Sequence, residues 1–330
     1  MKREILKALK EQKEGFVSGQ ELSERLGVTR AAVWKHIKQL QEEGYEIEAV
    51  SRKGYRLLKD PDHLDGDALE LDRSSSVFGK KVYYFESVDS TNTIAKKLAA
   101  EGAAEGTVIL AEEQKAGKGR LGRKWESAKG AGIWLSIILR PAIRPSDAAK
   151  ITQIAAAAVG TAIQNNTGYP IQIKWPNDIL MDKKKICGIL TEMSAELERI
   201  NFIVVGIGVN VNQKEEDFPN ELKHAASIQS CTGKTVSRRS LVVEILKEFE
   251  ELYFDFLHTG SIEKSIHICR KYSATLKNKV RVIDQEKEIF AEAVDITEDG
   301  GLLIRDESGA LKTIISGEVS VRGLYGYTPS

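Results

Sequence analysis

The segment from Ser18 to Thr29 constrains the chain more than any other, because it holds two helix starts and one helix stop. Ser18-Gly-Gln-Glu has the capping-box pattern, in which the hydroxyl and Glu21 satisfy the orphan amides of a first turn. Gly27 offers the left-handed residue that ends a helix, and Thr29 caps the next one. The spacing therefore predicts a helix with Leu22 and Leu26 inward. It is followed at once by a second running to about Glu43, with Ala32, Val33, Ile37 and Leu40 on one face. A helix over 2–12 precedes them, with Ile5, Leu6 and Leu9 at helical spacing. After Gly44, alternation from Tyr45 to Leu58 is broken by Ser51-Arg-Lys-Gly54 and reads as a hairpin with a basic tip. Two helices joined by a tight glycine turn, then a hairpin, make a winged helix-turn-helix.

Its charges say what such a module meets. No acid lies between Thr29 and Leu40, and four cations with no anion lie between Ala49 and Lys59. The reading is a DNA-binding face: Ser18, Thr29, Arg30, Ala31, Lys35 and His36 at the groove, with Arg52 and Lys53 reaching phosphates or the minor groove. The chain as a whole is neutral, 48 basic residues against 48 acidic, so the basic surface is local and a wholesale polycation is excluded.

Three widely spaced cysteines, Cys187, Cys231 and Cys269, suggest a reduced cytosolic chain rather than a disulfide scaffold. The charged start, Met1 to Lys10, is not a secretory signal. The longest apolar stretch, Ile154–Ile163, is about half a bilayer span. The five histidines are scattered and no metal motif is visible. The expectation is a cytoplasmic protein with no membrane partner and no metal site of its own.

Length, 330 residues, suggests two or three domains. Asp60-Pro-Asp62 breaks the pattern and begins a polar linker, giving a first domain over 1–62. Over 63–272, strands (82–85, 108–112, 133–139, 171–174, 186–193, 202–209) mix irregularly with helices (92–101, 146–165, 240–257), which suggests a mixed α/β enzyme domain in an α+β multidomain chain. Over 273–330, five short alternating strands (279–285, 288–296, 302–306, 310–315, 318–323) predict a small SH3-like β-barrel.

Four segments carry chemistry. Gln114-Lys-Ala-Gly-Lys-Gly-Arg-Leu-Gly-Arg-Lys-Trp125 interleaves Lys115, Lys118, Arg120, Arg123 and Lys124 with three glycines after an apolar strand. It lacks the Gly-Lys-Ser/Thr of a P-loop and the spacing of a dinucleotide fingerprint. It is a loop able to wrap an anion, with forked guanidiniums for phosphate or carboxylate. Read alone, it is equally a solvated basic loop. Lys174-Trp-Pro-Asn-Asp178 fixes a turn that presents an amide and a carboxylate, and Lys185 follows beside the apolar Ile186–Leu190. Glu86-Ser-Val-Asp-Ser-Thr-Asn92 sets hydroxyls and an amide at a strand-to-helix junction, where simple N-capping is the plainer reading. Gly206-Ile-Gly-Val-Asn210 brings glycines and an amide to another strand end.

In this order, behind a winged helix, these segments resemble the family of bifunctional bacterial biotin protein ligases and biotin operon repressors, over essentially the whole chain. The resemblance implies a central biotin/lipoate ligase-type, class II synthetase-like domain and a two-step acyl transfer. Biotin carboxylate attacks the α-phosphate of ATP, pyrophosphate leaves, and a carrier-domain lysine then attacks biotinyl-5′-AMP. It implies that Ser90, Thr91, Asn92 and Gln114 bind the biotin head group, and that Lys118, Gly119 and Arg120 wrap carboxylate and phosphate. Lys185 would hold the carboxylate or α-phosphate, and Asp178 would orient a cation or the incoming lysine, so that Lys185, Arg120 and Asp178 form the catalytic set. Arg123, Trp125, Asn210 and Arg322 would meet the nucleotide, with Trp125 on adenine. Biotin and ATP are the implied substrates, with Mg²⁺ accompanying ATP. The implied partners are a biotin carboxyl carrier domain of acetyl-CoA carboxylase, biotin operator DNA, and a second copy of the chain when biotinyl-5′-AMP is bound.

The sequence departs from the family pattern at Lys118, where Arg is usual; a point charge replaces a planar fork, which shifts the load to Arg120. Two rival readings stand beside this one. A ligand-sensing repressor without catalysis leaves the phosphate-seeking cations unexplained. A lipoate–protein ligase fits a polar head-group cluster less well than a ureido ring does.

Overall fold

The computed structural model describes residues 1–12, 15–42, 44–59, 64, 66–73, 76–222, 224–284, 287–315 and 319–323. The N-terminal elements form as their caps dictate. Helices α1 (Lys2–Glu11), α2 (Gly19–Leu26) and α3 (Arg30–Glu42) bury Ile5, Leu9, Leu22, Val33, Ile37 and Leu40 in a core of their own. Ser18 Oγ accepts from the Glu21 amide at 3.0 Å, Gly27 is left-handed at φ 63°, and Thr29 Oγ1 accepts from the Ala32 amide at 3.2 Å. Strands β1 (Glu46–Val50) and β2 (Gly54–Lys59) make the wing, with Arg52 exposed in its turn. Val17 and Tyr55 exchange two 2.9 Å backbone hydrogen bonds, which pin the wing to the helices. Gly54 is required there: at φ 116° a Cβ would lie 2.1 Å from the Val17 carbonyl. The helix end placed at Glu43 and the Asp60-Pro-Asp62 break lie outside the described residues.

The polar linker expected to begin at Asp60-Pro-Asp62 is corrected by helix α4 (Gly66–Asp72), which follows within a few residues. Leu69 is fully buried, Glu70 accepts from the Val82 amide at 2.9 Å, and Arg73 donates to the Phe78 carbonyl and pairs with Glu250. A seven-residue helix with three acids is too short and too polar for its periodicity to show. What stabilises it is tertiary: these partners come from distant elements.

The central domain is a seven-stranded sheet built from β3 (Val82–Phe85), β4 (Val108–Ala111), β5 (Gly132–Leu139), β6 (Gln172–Lys174), β7 (Asp178–Met181), β8 (Lys184–Glu196) and β9 (Arg199–Asn210), in the order β3-β4-β5-β9-β8-β7-β6. Only β3 and β4 are parallel. Strand β7 was not foreseen, because Asp178-Ile-Leu-Met continues straight from the turn that precedes it. Helices α5 (Thr91–Ala100), α6 (Ala148–Thr167), α7 (Ile228–Thr232), α8 (Arg238–Thr259) and α9 (Glu263–Lys271) complete the domain. Residues Ile203, Val205, Ile207 and Val209 of β9 face the core that holds α6 and α8, whereas Val204 packs with Ala95 and Ala99 of α5 on the other face. Period-two alternation continues that second face through Gly206, Gly208 and Asn210. A strip without side chains therefore opens just beyond the start of α5.

Strands β10 (Lys279–Asp284), β11 (Lys287–Ile296), β12 (Leu302–Asp306), β13 (Leu311–Ile314) and β14 (Val319–Gly323) form an antiparallel sheet in the order β13-β12-β11-β10-β14, the SH3-like arrangement expected. It is joined to the central domain at Trp175, whose indole N–H donates to the Gly300 carbonyl at 2.9 Å and whose backbone N–H donates to Thr275 Oγ1 at 3.0 Å.

Candidate active site

A cavity of about 630 Å³ lies over the glycine strip. At one end Thr91, through its amide and hydroxyl, donates to Gln114 Oε1 at 2.8 and 3.1 Å. Gln114 Nε2 in turn donates to Ser127 Oγ at 2.9 Å. Ser136 Oγ sits within hydrogen-bonding distance of both Thr91 Oγ1, 2.8 Å, and Asn92 Oδ1, 2.6 Å. Asn92 Nδ2 donates to Glu192 Oε2 at 2.7 Å, and Lys96 pairs with the other Glu192 oxygen at the same distance. Burial would raise the Glu192 carboxyl, but hydrogen bonds from Lys96 and Asn92 outweigh it and hold the group below the usual glutamate range. Gly206 must lack a side chain, because a Cβ there would lie 2.2 Å from Asn92 Oδ1. Ser90, the N-cap position of α5, also lines this end.

At the other end stand the cations. Lys185 Nζ is 2.6 Å from Asp178 Oδ1, with side chains only 20% and 11% exposed, and lies 5.2 Å from the Trp125 ring centroid. The Lys185 backbone is held on both sides by the 224–226 segment, donating to the His224 carbonyl at 2.7 Å and accepting from the Ala226 amide at 2.9 Å. Arg120 Nη1 donates to Asn177 Oδ1 at 3.0 Å, and burial lowers its guanidinium from the usual arginine value despite Asp178 nearby. Gly119 donates to the Arg123 carbonyl at 2.7 Å, and Arg120–Gly122 forms a single 3₁₀ turn. The cation loop is thus a short hairpin with Lys118 and Arg123 exposed beside the cavity.

Trp125 lies on the strip itself. Cβ atoms built on Gly208 and Gly188 would stand 2.7 and 3.0 Å from its ring, and the indole N–H is buried without a partner among the described residues. The tryptophan is therefore a wall of the cavity packed on the sheet. Asn210 lines the cavity and donates to the Ala226 carbonyl at 3.0 Å. Arg322 pairs through its backbone with Arg281, which does line the cavity; the Arg322 side chain lies outside the described residues.

A model of the Biotin/lipoate A/B protein ligase family matches residues 84–210, an HTH domain matches 2–56, and a Biotin protein ligase C terminal domain matches 278–322. The chain is 38% identical over 322 residues to the Bifunctional ligase/repressor BirA of Bacillus spizizenii, covering 97% of this chain and 98% of that one. The chain belongs to the biotin ligase/repressor family. A second member, from Escherichia coli, is 30% identical over 313 residues and 93% of each chain. The biotin protein ligase of Aquifex aeolicus, solved in complex with biotin and ATP, superposes with a TM-score of 0.65 at 32% identity, covering 74% of this chain and 99% of its own.

In this family member the cavity gathers Ser90, Thr91, Asn92, Gln114, Lys118, Gly119, Arg120, Arg123, Trp125, Asp178, Lys185 and Asn210 from five separate segments. Sequence reasoning missed Ser136, Ser127, Glu192 and Arg281, and it noted the Asn177 amide beside Asp178 without giving it a partner, which is Arg120. Glu192 also left a signal, since it continues the alternation of Gly188 and Leu190 with a charge. On the winged helix, Thr29, Arg30, Ala31, Lys35, Arg52 and Lys53 are exposed, while Ser18 is a partly buried cap and His36 Nδ1 lies 2.9 Å from Gln39 Oε1. Arg56, one of the four wing cations, is neutralised by Glu48 across the hairpin at 2.7 Å.

Proposed function

We infer that this chain is an ATP-dependent biotin protein ligase and a repressor of biotin synthesis genes that uses biotinyl-5′-AMP as its corepressor. The observation that carries the reading is the two-ended cavity: a neutral hydrogen-bonding cluster at Thr91 and Gln114, backed by the buried Ser136, and a cation cluster at Lys185, Arg120 and Lys118, over a floor of glycines. The neutral end suits a ureido ring, which donates and accepts, better than a dithiolane. The cationic end suits a carboxylate and a phosphate that must be brought together.

In this reading Asn92 and Glu192 position the head-group cluster, and Lys185 and Arg120 stabilise charge on the reacting carboxylate and α-phosphate. Asp178 holds the Lys185 ammonium in place. Lys118 and Arg123 fold over the adenylate and exclude water, which would hydrolyse it. Asn210, Arg281 and Arg322 flank the nucleotide, and Trp125 shapes the chamber between the two ends. Mg²⁺ enters with the triphosphate; among the described residues no three His, Cys, Asp or Glu side chains gather to hold it alone. The acceptor is a lysine on a biotin carboxyl carrier domain such as that of acetyl-CoA carboxylase. The reader is assigned to 1–62, the ligase to 63–272 and the C-terminal sheet to 273–330. Two copies carrying adenylate engage two half-sites of the biotin operator, in the cytoplasm where carrier and DNA meet. No helix among the described residues is long and apolar enough to cross a membrane.

Incubation with biotin and ATP, followed by mass spectrometry, should reveal biotinyl-5′-AMP held by the protein and pyrophosphate released. Tight biotin binding with no pyrophosphate would make the chain a sensor without catalysis, and preference for lipoate in a competition titration would change the substrate.

A further inference from the structure

Trp34 lies on the exposed arc of α3, 56% exposed, about a quarter turn around the helix from the buried Val33, Ile37 and Leu40. Arg30, Ala31 and Lys38 are its neighbours at helical spacing and Lys35 follows it in the chain, all exposed and with no acid among them. Arg30 is anchored by its Nε–H, which donates to Gln20 Oε1 at 2.9 Å, and the Lys38 ammonium lies 5.8 Å from the Trp34 ring centroid. A large ring is thus held in place within a cationic face, with one side taken by an ammonium.

We propose that Trp34 is a base reader, contacting a thymine C5-methyl in the major groove of the operator. This rests on the DNA-binding reading of the module. The cations of the face answer phosphate oxygens, which position a protein on the duplex without telling one sequence from another. The ring cannot share that task through its apolar surface. Of the groups on the major-groove base edges, only the thymine methyl is apolar, so an indole on this face has one natural partner. Trp34 therefore contributes specificity and the lysines contribute general affinity.

The test uses the full-length chain with biotin and ATP. A binding site is selected from a randomised duplex pool, and each thymine in it is then replaced by deoxyuridine, which lacks only the methyl. At one position per half-site the loss should be about fourfold, the worth of one buried methyl. Trp34→Ala, checked for an unchanged thermal midpoint, and Trp34→Gln as a polar companion should both bind the selected site more weakly. Both should be indifferent to deoxyuridine at that position, with binding to random duplex and its salt slope unchanged. Equal deoxyuridine losses in parent and variants, or equal weakening on selected and random duplex, would overturn the assignment of Trp34 while leaving DNA binding intact. A pool from which no sequence emerges would instead remove the DNA reading, and this inference with it.

Discussion

Lys185 and Asp178 face each other at 2.6 Å across the β7–β8 pair, and the Trp125 ring lies against the same ammonium. The carboxylate and the ring together hold the charge at the cavity wall. Lys185→Met removes the donor without adding a buried charge. Adenylate formation should fall by about a hundredfold or more, as when a preorganised charge-stabilising donor is deleted elsewhere. Pyrophosphate release measures this, and a variant within a few-fold of the parent would take Lys185 out of the chemistry.

Arg120 reaches Asn177 from a loop otherwise held by glycine turns. Arg120→Ala should leave the thermal midpoint nearly unchanged and release the adenylate faster. The loss should be about 1.5–3 kcal/mol, one to two decades in retention, as for other charge-assisted hydrogen bonds. Lys118→Arg should be neutral or tighten retention, because a fork replaces a point charge. Dissociation of biotinyl-5′-AMP, followed by rapid filtration, reads both.

Glu192 carries the pH dependence of the head-group end. Its carboxyl lies below the usual range in the folded chain, so folding favours the ionised form. The resulting stabilisation is complete above the unfolded value of about 4.3 and is lost as pH falls through the lower folded value. Biotin affinity, followed by calorimetry into that acid window, should drop in the parent. In Glu192→Gln it should start lower and vary less.

Gly206 and Gly208 are required by what lies above them, not by their own backbone angles. Gly206→Ala drives a methyl into Asn92 and should cost about 1–3 kcal/mol of stability, as overpacking does. Gly208→Ala instead pushes on the Trp125 ring and should weaken biotin binding more than it lowers the melting point. Thermal unfolding and biotin titration of the two variants separate these outcomes.

Removing residues 1–62 should abolish operator binding and leave biotin transfer measurable: it takes Lys10 from Asp72, but Val82 and Arg239, which hold Glu70 and Asp72 of α4, and the Arg73–Glu250 pair lie beyond the cut. In the intact chain, operator affinity in a gel shift should rise with biotin and ATP together more than with either alone. It should fall when carrier protein is added. Indifference to adenylate would leave the ligase standing without its corepressor.

Much of this architecture could be read from local signals. Caps at Ser18 and Thr29, alternation in the wing and the last sheet, and a loop of cations and glycines that no core could accept each specify their structure within a few residues. What stayed hidden depends on partners far along the chain. Ser136 is one hydroxyl in the otherwise apolar Gly132–Leu139, and only its buried meeting with Thr91 and Asn92 gives it a role. The α4 helix reads as linker until the Val82 amide is known to donate to its Glu70 and Arg239 to pair with its Asp72. Lys118 and Arg123 were legible as anion seekers, whereas the packing of Trp125 on Gly188 and Gly208 depends on a register that the sequence does not display.

The carboxylate of Asp72 is gripped from two sides, by Lys10 of α1 at 3.7 Å and by Arg239 at the start of α8 at 2.5 Å. The adjacent Arg238 holds Glu112 and the Gly132 carbonyl, the two roots of the cation loop. A shared anion can lean towards either cation at little cost and is softened by salt, so this joint behaves as a yielding mount rather than a weld. The hold of α1 on the ligase domain through Asp72 is therefore expected to loosen as salt rises.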